Sequence, residues 1–210
     1  MPISLEEFTK FLDANKGKRK FKQTVEVAIN FKDIDFSKQD NRLNLEVRLP
    51  NGKGKIRKVA IFSNDKSVSE AALKLGVEVI DPSQLEAISK DTKRQTGLLG
   101  YDLLAQANMM AQVARHLGQF LGPRNRMPKP VMPNMKIDDV VRGTENTVTI
   151  RSKGKYLPTV HSIVGIEDME ASKIYNNIIE VVNSVGAKVG QNNVKSVYVK
   201  LTMSEAVKFS

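Results

Sequence analysis

The sequence predicts an α+β split domain (antiparallel sheet with helices) built from both chain ends, with an α/β parallel-sheet domain inserted into it. Three observations predict this. The head and the tail both read as strands of alternating apolar and polar residues accompanied by a helix. The middle runs strand–helix–strand–helix, the order of a parallel sheet with helices on its faces. Two breaks separate the patterns, Pro50-Asn51-Gly52-Lys53-Gly54-Lys55 and Lys153-Gly154-Lys155-Tyr156-Leu157-Pro158. The split domain is then residues 1–52 plus 159–210, and the insert is residues 53–158.

Residues 1–15 read as a helix. Ser4 stands at its N-cap, Glu7 lies at capping-box spacing, and Leu5, Phe8 and Leu12 share one face. A basic turn, Lys16-Gly17-Lys18-Arg19-Lys20, leads to Phe21. Thr24 to Phe31 and Asn44 to Leu49 alternate as half-buried strands do. After the first break, Val59 to Phe62 is a short apolar strand. Ser67 to Leu75 is a helix bearing Val68, Ala71, Ala72 and Leu75. Val77 to Ile80 is a strand, Pro82 to Lys90 a helix opened by proline, and Tyr101 to Ala105 a third strand.

From Leu103 to Ile137 there is no Asp or Glu. Ala107, Met110, Ala111, Ala114, Leu117 and Leu121 approach helical spacing, and Gly122-Pro123 ends that helix. Pro123, Pro128, Pro130 and Pro133 are expected to forbid regular structure beyond it. Asp138-Asp139 reads as the start of a short helix. In the tail, Val160 to Val164 is a strand, and Ala171 to Val185 a helix with Ile174, Ile178, Val181, Val182 and Val185 on one face. Lys195 to Thr202 alternates strictly, and Ala206 to Phe209 extends it or pairs with it.

Composition narrows the function. The 210 residues carry 33 Lys+Arg against 23 Asp+Glu, a net charge of +10, which favours a polyanionic partner. Cysteine is absent, so disulfides, thiolate metal sites and a cysteine nucleophile are excluded. No apolar run approaches the ~20 residues that span a bilayer. The first residues lack a signal pattern, which makes a cytoplasmic protein the expectation.

Catalysis finds little support. His116 and His161 fall in different domains, without a nucleophile–carboxylate pattern beside either. Gly52-Lys53-Gly54-Lys55 lacks the spacing of a phosphate loop and reads as a basic hinge. Glu167-Asp168 and Asp138-Asp139 are adjacent pairs whose side chains point apart, poor metal clamps. The expectation is no enzyme, no metal and no cofactor.

Binding to nucleic acid remains, and charge alone would place it on the insert. Residues 53–158 hold 18 basic and 10 acidic side chains, residues 1–52 hold 10 and 8, and residues 159–210 hold 5 and 5.

Leu121-Gly122-Pro123-Arg124-Asn125-Arg126-Met127-Pro128-Lys129-Pro130 resembles the signature of the large-subunit ribosomal protein L-one family, roughly LGPRGxMPxP. Asn125 replaces a glycine there, and asparagine is the residue that best tolerates a left-handed backbone. The resemblance covers essentially the whole chain and looks archaeal. It implies the split-domain architecture, with a Rossmann-like insert.

It also implies a structural protein of the mobile stalk beside the tRNA exit site. Such a protein binds large-subunit rRNA, assists release of deacylated tRNA, commonly represses its own mRNA, and is a monomer when free. The rival is a non-ribosomal RNA-binding protein of the same fold.

The same resemblance moves the main grip to the split domain. Its primary RNA site maps onto Lys20, Phe21, Thr24 and Glu26, onto Asp168 in the loop after Gly165, and onto Thr202, Met203 and Ser204. Ser204 stands where the family has glycine and adds a Cβ there. By charge, Arg124, Arg126 and Lys129 remain candidates for secondary contacts to RNA or tRNA, and Gly52, Gly54, Leu157 and Pro158 read as the hinge. Phe21 and Met203 admit a second reading, as ordinary core residues at strand ends.

Overall fold

The computed structural model describes residues 3–54, 57–132, 135–152 and 157–210. Lys55 of the first break, Pro133, and Lys153-Gly154-Lys155-Tyr156 of the second lie outside them. The chain divides into two compact units, Met1–Lys55 with Glu145–Ser210, and Ile56–Thr144.

In chain order, the elements begin with α1 (Leu5–Asn15), β1 (Thr24–Phe31) and β2 (Asn44–Arg48). Next come β3 (Lys58–Phe62), α2 (Lys66–Lys74), β4 (Glu78–Ile80), α3 (Pro82–Lys90) and α4 (Thr92–Leu98). They are followed by β5 (Tyr101–Gln106), α5 (Met110–Leu121), β6 (Lys129–Val131) and α6 (Ile137–Asn146). Then β7 (Thr147–Arg151), β8 (Thr159–Ile166), α7 (Ala171–Val189), β9 (Val194–Leu201) and β10 (Val207–Lys208) complete it.

The first unit holds an antiparallel sheet in the order β10-β9-β1-β8 and a two-stranded ribbon, β2-β7. Strand β1 sits at the centre because its alternation is strict. Val25, Val27, Ile29 and Phe31 are buried, and the residues between them only half so. That buried row meets Phe8 and Leu12 of α1, and Ile174, Ile178, Val181 and Val185 of α7, in one core. Ser4 and Glu7 close the capping box on α1, each side chain accepting the other's main-chain N–H. Leu5 remains 42% exposed, so the inward face of α1 is narrower than its spacing suggests. The two chain ends are tied together: Ile3 N–H donates to the Phe209 carbonyl at 2.8 Å, and Tyr175 packs on Phe209.

The second break falls earlier than residue 158. Strand β7 pairs with β2 from Asn44↔Arg151 to Arg48↔Thr147, which groups it with the first unit. Its own pattern, Val148 and Ile150 inward and alternating with Thr147, Thr149 and Arg151, is strand-like in sequence. Its partner is remote in sequence, and periodicity carries no partner.

The second unit is a parallel sheet in the order β4-β3-β5-β6. Three sequence expectations are corrected there. Pro130 does not end regular structure. It lies opposite Ala105 in β6, an edge strand, where a missing N–H costs no ladder bond. The inward stripe of α5 is Val113, Leu117 and Leu121, continued one turn earlier by Met109; Ala107, Ala111 and Ala114 are exposed. On α2 only Ala72 is buried, with Ala71 and Leu75 outside. The unexpected α4 has a single buried apolar residue, Leu98, and is started by Asp91, which accepts the Lys93 and Arg94 N–H groups.

Candidate nucleic-acid interface

Three segments of the first unit converge at one end of its sheet: the approach to β1, the turn after β8 and the turn after β9. The approach to β1 carries Lys20 and Phe21, the turn after β8 carries Asp168, and the turn after β9 carries Thr202, Met203 and Ser204. Hydrogen bonds lock them together. Thr24 N–H donates to Thr202 Oγ1 at 3.1 Å, and Thr202 N–H returns to the Thr24 carbonyl at 3.0 Å. Glu167 N–H donates to the Gln23 carbonyl at 3.0 Å, extending the β1–β8 pairing by one step.

Phe21 is 50% exposed and Met203 is 56% exposed, so neither is a core residue. Lys20 and Thr202 are exposed, and Thr24 and Glu26 are half-buried. Asp168 forms an ion pair with Lys22, whose amine it holds above its ordinary value by hydrogen bonding and charge. Both partners remain solvated, so the pair orders the loop more than it stabilises the fold.

Ser204 is accommodated. Only Asp33 and Asn125 among the described non-glycine residues have positive φ, so the backbone conformation at position 204 does not call for glycine. Its hydroxyl accepts the Leu201 N–H at 2.8 Å and donates to the Glu205 carbonyl at 2.8 Å, closing the turn.

The same end continues into an open face of the sheet. Strand pleating turns Thr24, Glu26, Ala28 and Asn30 away from the helices. Register places Ile163, Glu26 and Lys200 in one row, and His161, Ala28 and Tyr198 in the next. His161 and Ile163 are exposed, and Tyr198 and Lys200 half-buried. Sequence reading did not single out Ser196, Tyr198 and Lys200, which pair with Asn30, Ala28 and Glu26 on this face. Their signal was the polar half of the β9 alternation, on the face shared with Thr24 and Glu26.

The other candidates lie elsewhere. Asn125 has φ +53°, the left-handed backbone that its glycine-like position required. Arg124 stacks over Phe120 at 4.1 Å and donates to the Phe120 carbonyl. Arg126 donates to the Leu99 carbonyl at 3.2 Å and lies 3.6 Å from Asp102, which commits its guanidinium within the second unit. Lys129 is half-buried in β6.

Of the residues expected to form a hinge, Gly52 and Gly54 have φ of +66° and +71°. Leu157 is exposed, whereas the Pro158 carbonyl accepts the Phe31 N–H at 2.8 Å and is anchored to β1. His116 is exposed. No group of three or more His, Cys, Asp or Glu suited to a metal ion occurs among the described residues.

The redrawn division also changes the electrostatics. Residues 56–144 hold 13 basic and 9 acidic side chains, leaving 20 and 14 for the first unit. The excess is therefore +4 on the second unit and +6 on the first. Charge no longer points to the insert.

The model of the family described as Ribosomal protein L1p/L10e family matches residues 12–205. The large ribosomal subunit protein uL1 of Thermococcus kodakarensis is 43% identical over 209 residues, 97% of this chain and 95% of that protein. The protein of the same name from Pyrococcus horikoshii is 42% identical, covering 96% and 93%. That from Thermoplasma acidophilum is 39% identical, covering 90% and 88%.

Proposed function

This chain belongs to the ribosomal protein L1p/L10e family, and on that premise we propose that it binds large-subunit rRNA of the mobile stalk through the first unit. The grip is the sheet end formed by Lys20, Phe21, Thr24, Glu26, Asp168, Thr202, Met203 and Ser204. The second unit is an auxiliary arm. Assembled into the large subunit, the protein assists release of deacylated tRNA from the exit site, and free, as a monomer, it represses its own mRNA by the same grip.

The observation that carries the reading is the exposure of Phe21 and Met203 on a sheet end braced by hydrogen bonds. Large apolar side chains exposed together at one place on a surface mark an interaction site. Folded RNA offers such a partner, with sugar edges, unstacked bases and 2′-hydroxyls. Phe21 stacks on a base or sugar, Met203 packs beside it, and Glu26 accepts from a 2′-hydroxyl or an exocyclic amine. Lys20 and Lys200 supply phosphate contacts.

The test is affinity for a transcript of the rRNA stalk segment. Phe21→Ala and Met203→Ala each weaken binding about tenfold or more, the scale of one lost base–side-chain contact. Lys129→Ala changes it less than about threefold. Unchanged binding in the first two variants, with loss in the third, would move the site to the second unit.

A further inference from the structure

Beneath the exposed grip lies a buried polar residue that its role as an RNA surface does not use. Gln23 is 2% exposed, on the inward side of the β1 alternation, where Val25 and Val27 follow it. A polar side chain at such a position is costly unless every group is satisfied. Here every group is. Gln23 Nε2 donates to the Asn15 carbonyl at 3.2 Å and to Glu167 Oε2 at 3.1 Å. Gln23 Oε1 accepts the Met203 N–H at 3.1 Å. Glu167, itself 4% exposed, also accepts the Gly17 N–H at 3.4 Å.

These partners dictate which way the carboxamide faces. A carbonyl and a carboxylate can only accept, so they require the NH2 end; a main-chain N–H can only donate, so it requires the oxygen. One side chain therefore joins the last turn of α1, the turn after β8 and the turn after β9. Those two turns carry Asp168 and Met203, and Phe21 precedes Gln23 by two residues.

We infer that Gln23, oriented by Glu167, is the positioning residue of the RNA grip: it fixes the Met203 main chain so that the exposed methionine stands ready beside Thr24 and Phe21. The inference rests on the RNA-binding reading above. Gln23 touches no RNA itself. Its effect is to fix the turn before binding, which spares the complex an ordering cost.

Gln23→Glu probes this with almost no change of shape. It keeps an oxygen toward Met203 but turns the NH2 end into an acceptor facing the Asn15 carbonyl and the Glu167 carboxylate. Two readouts on the full chain apply: hydrogen exchange at the Met203 amide without RNA, and affinity for the stalk-rRNA transcript. Gln23→Glu speeds Met203 exchange and weakens binding about tenfold, the scale of a buried polar group losing its partner. Adding Glu167→Gln restores a donor against the new carboxylate and recovers most of both losses, which general destabilisation would not do. Gln23→Met, neutral and of similar reach, gives a comparable loss without a buried charge and serves if Gln23→Glu does not fold.

Binding by folded Gln23→Glu or Gln23→Met within about twofold of the parent, while Met203→Ala weakens it, would overturn the positioning role and leave the RNA site standing. If Phe21→Ala and Met203→Ala also leave binding unchanged, the site itself is misplaced and the positioning role falls with it.

Discussion

Asn177 shows how much one side chain can decide. It is fully buried in α7, donating to the Gly52 carbonyl at 2.9 Å and the Val164 carbonyl at 2.8 Å, while accepting the Asn51 N–H at 3.1 Å. Val164 is the extra residue of a bulge, since Val25 pairs with Gly165 and Glu26 with Ile163. A bulge leaves a main-chain group without a ladder partner, and the Asn177 amide supplies one. The same amide pins the chain where it leaves the first unit. Asn177→Ala should cost about 2–4 kcal/mol, read as a lower urea midpoint at unchanged m-value. Helical spacing put Ile174, Ile178, Val181 and Val185 on the inward face, but no pattern marks the polar residue among them. Gln23 was hidden in the same way. A buried polar group is justified by partners that are distant in sequence, whereas exposure decides what Phe21 and Met203 are. Ser204 differs, because its local turn satisfies it and its backbone conformation does not call for glycine.

Among the elements, β1 and α7 were legible because burial on one side writes a period directly into the residues. Where burial is thin, the pattern misleads. Alanines at helical spacing on α5 face water, and the true stripe runs through Met109 and Val113, four residues apart. Helix α4 and strand β6 needed their neighbours, a capping Asp91 for one and the edge position beside β5 for the other. Helix α2, nearly without buried side chains, depends on its cap. Asp65 accepts the Ser67 hydroxyl at 2.9 Å and the Ser67 main-chain N–H at 2.8 Å, and these two bonds hold its carboxyl below the ordinary 3.8. A lowered folded value adds stability above the unfolded one and loses it as pH falls through the folded one. Asp65→Ala should therefore lower Tm at neutral pH, with the gap to the parent closing once the pH drops below that lowered value. A gap that persists in acid would assign the effect to something other than the ionised cap.

For the whole molecule, the discontinuous first unit is the consequential feature. Leu49 N–H donates to the Asn146 carbonyl at 2.8 Å, so the strands flanking the insertion meet inside the first unit. Replacing residues 53–145 by three glycines should leave a folded unit whose affinity for the stalk-rRNA transcript stays within about fivefold of the full chain. A loss beyond about a hundredfold would give the second unit the main grip. Binding of the full chain should weaken with salt at a log–log slope no steeper than about −3, because few phosphates are neutralised. The sequence by itself determined the two classes of domain, most element positions, the left-handed Asn125 and, through the Leu121–Pro130 motif, the family resemblance. Those are local properties, set by periodicity, turn chemistry and short motifs. Tertiary structure alone decided that β7 pairs with β2, that Phe21 and Met203 stand in water, and that Gln23, Glu167 and Asn177 are satisfied inside. Each of these depends on strand pairing or hydrogen bonding between segments far apart in the chain, and no local period records the partner.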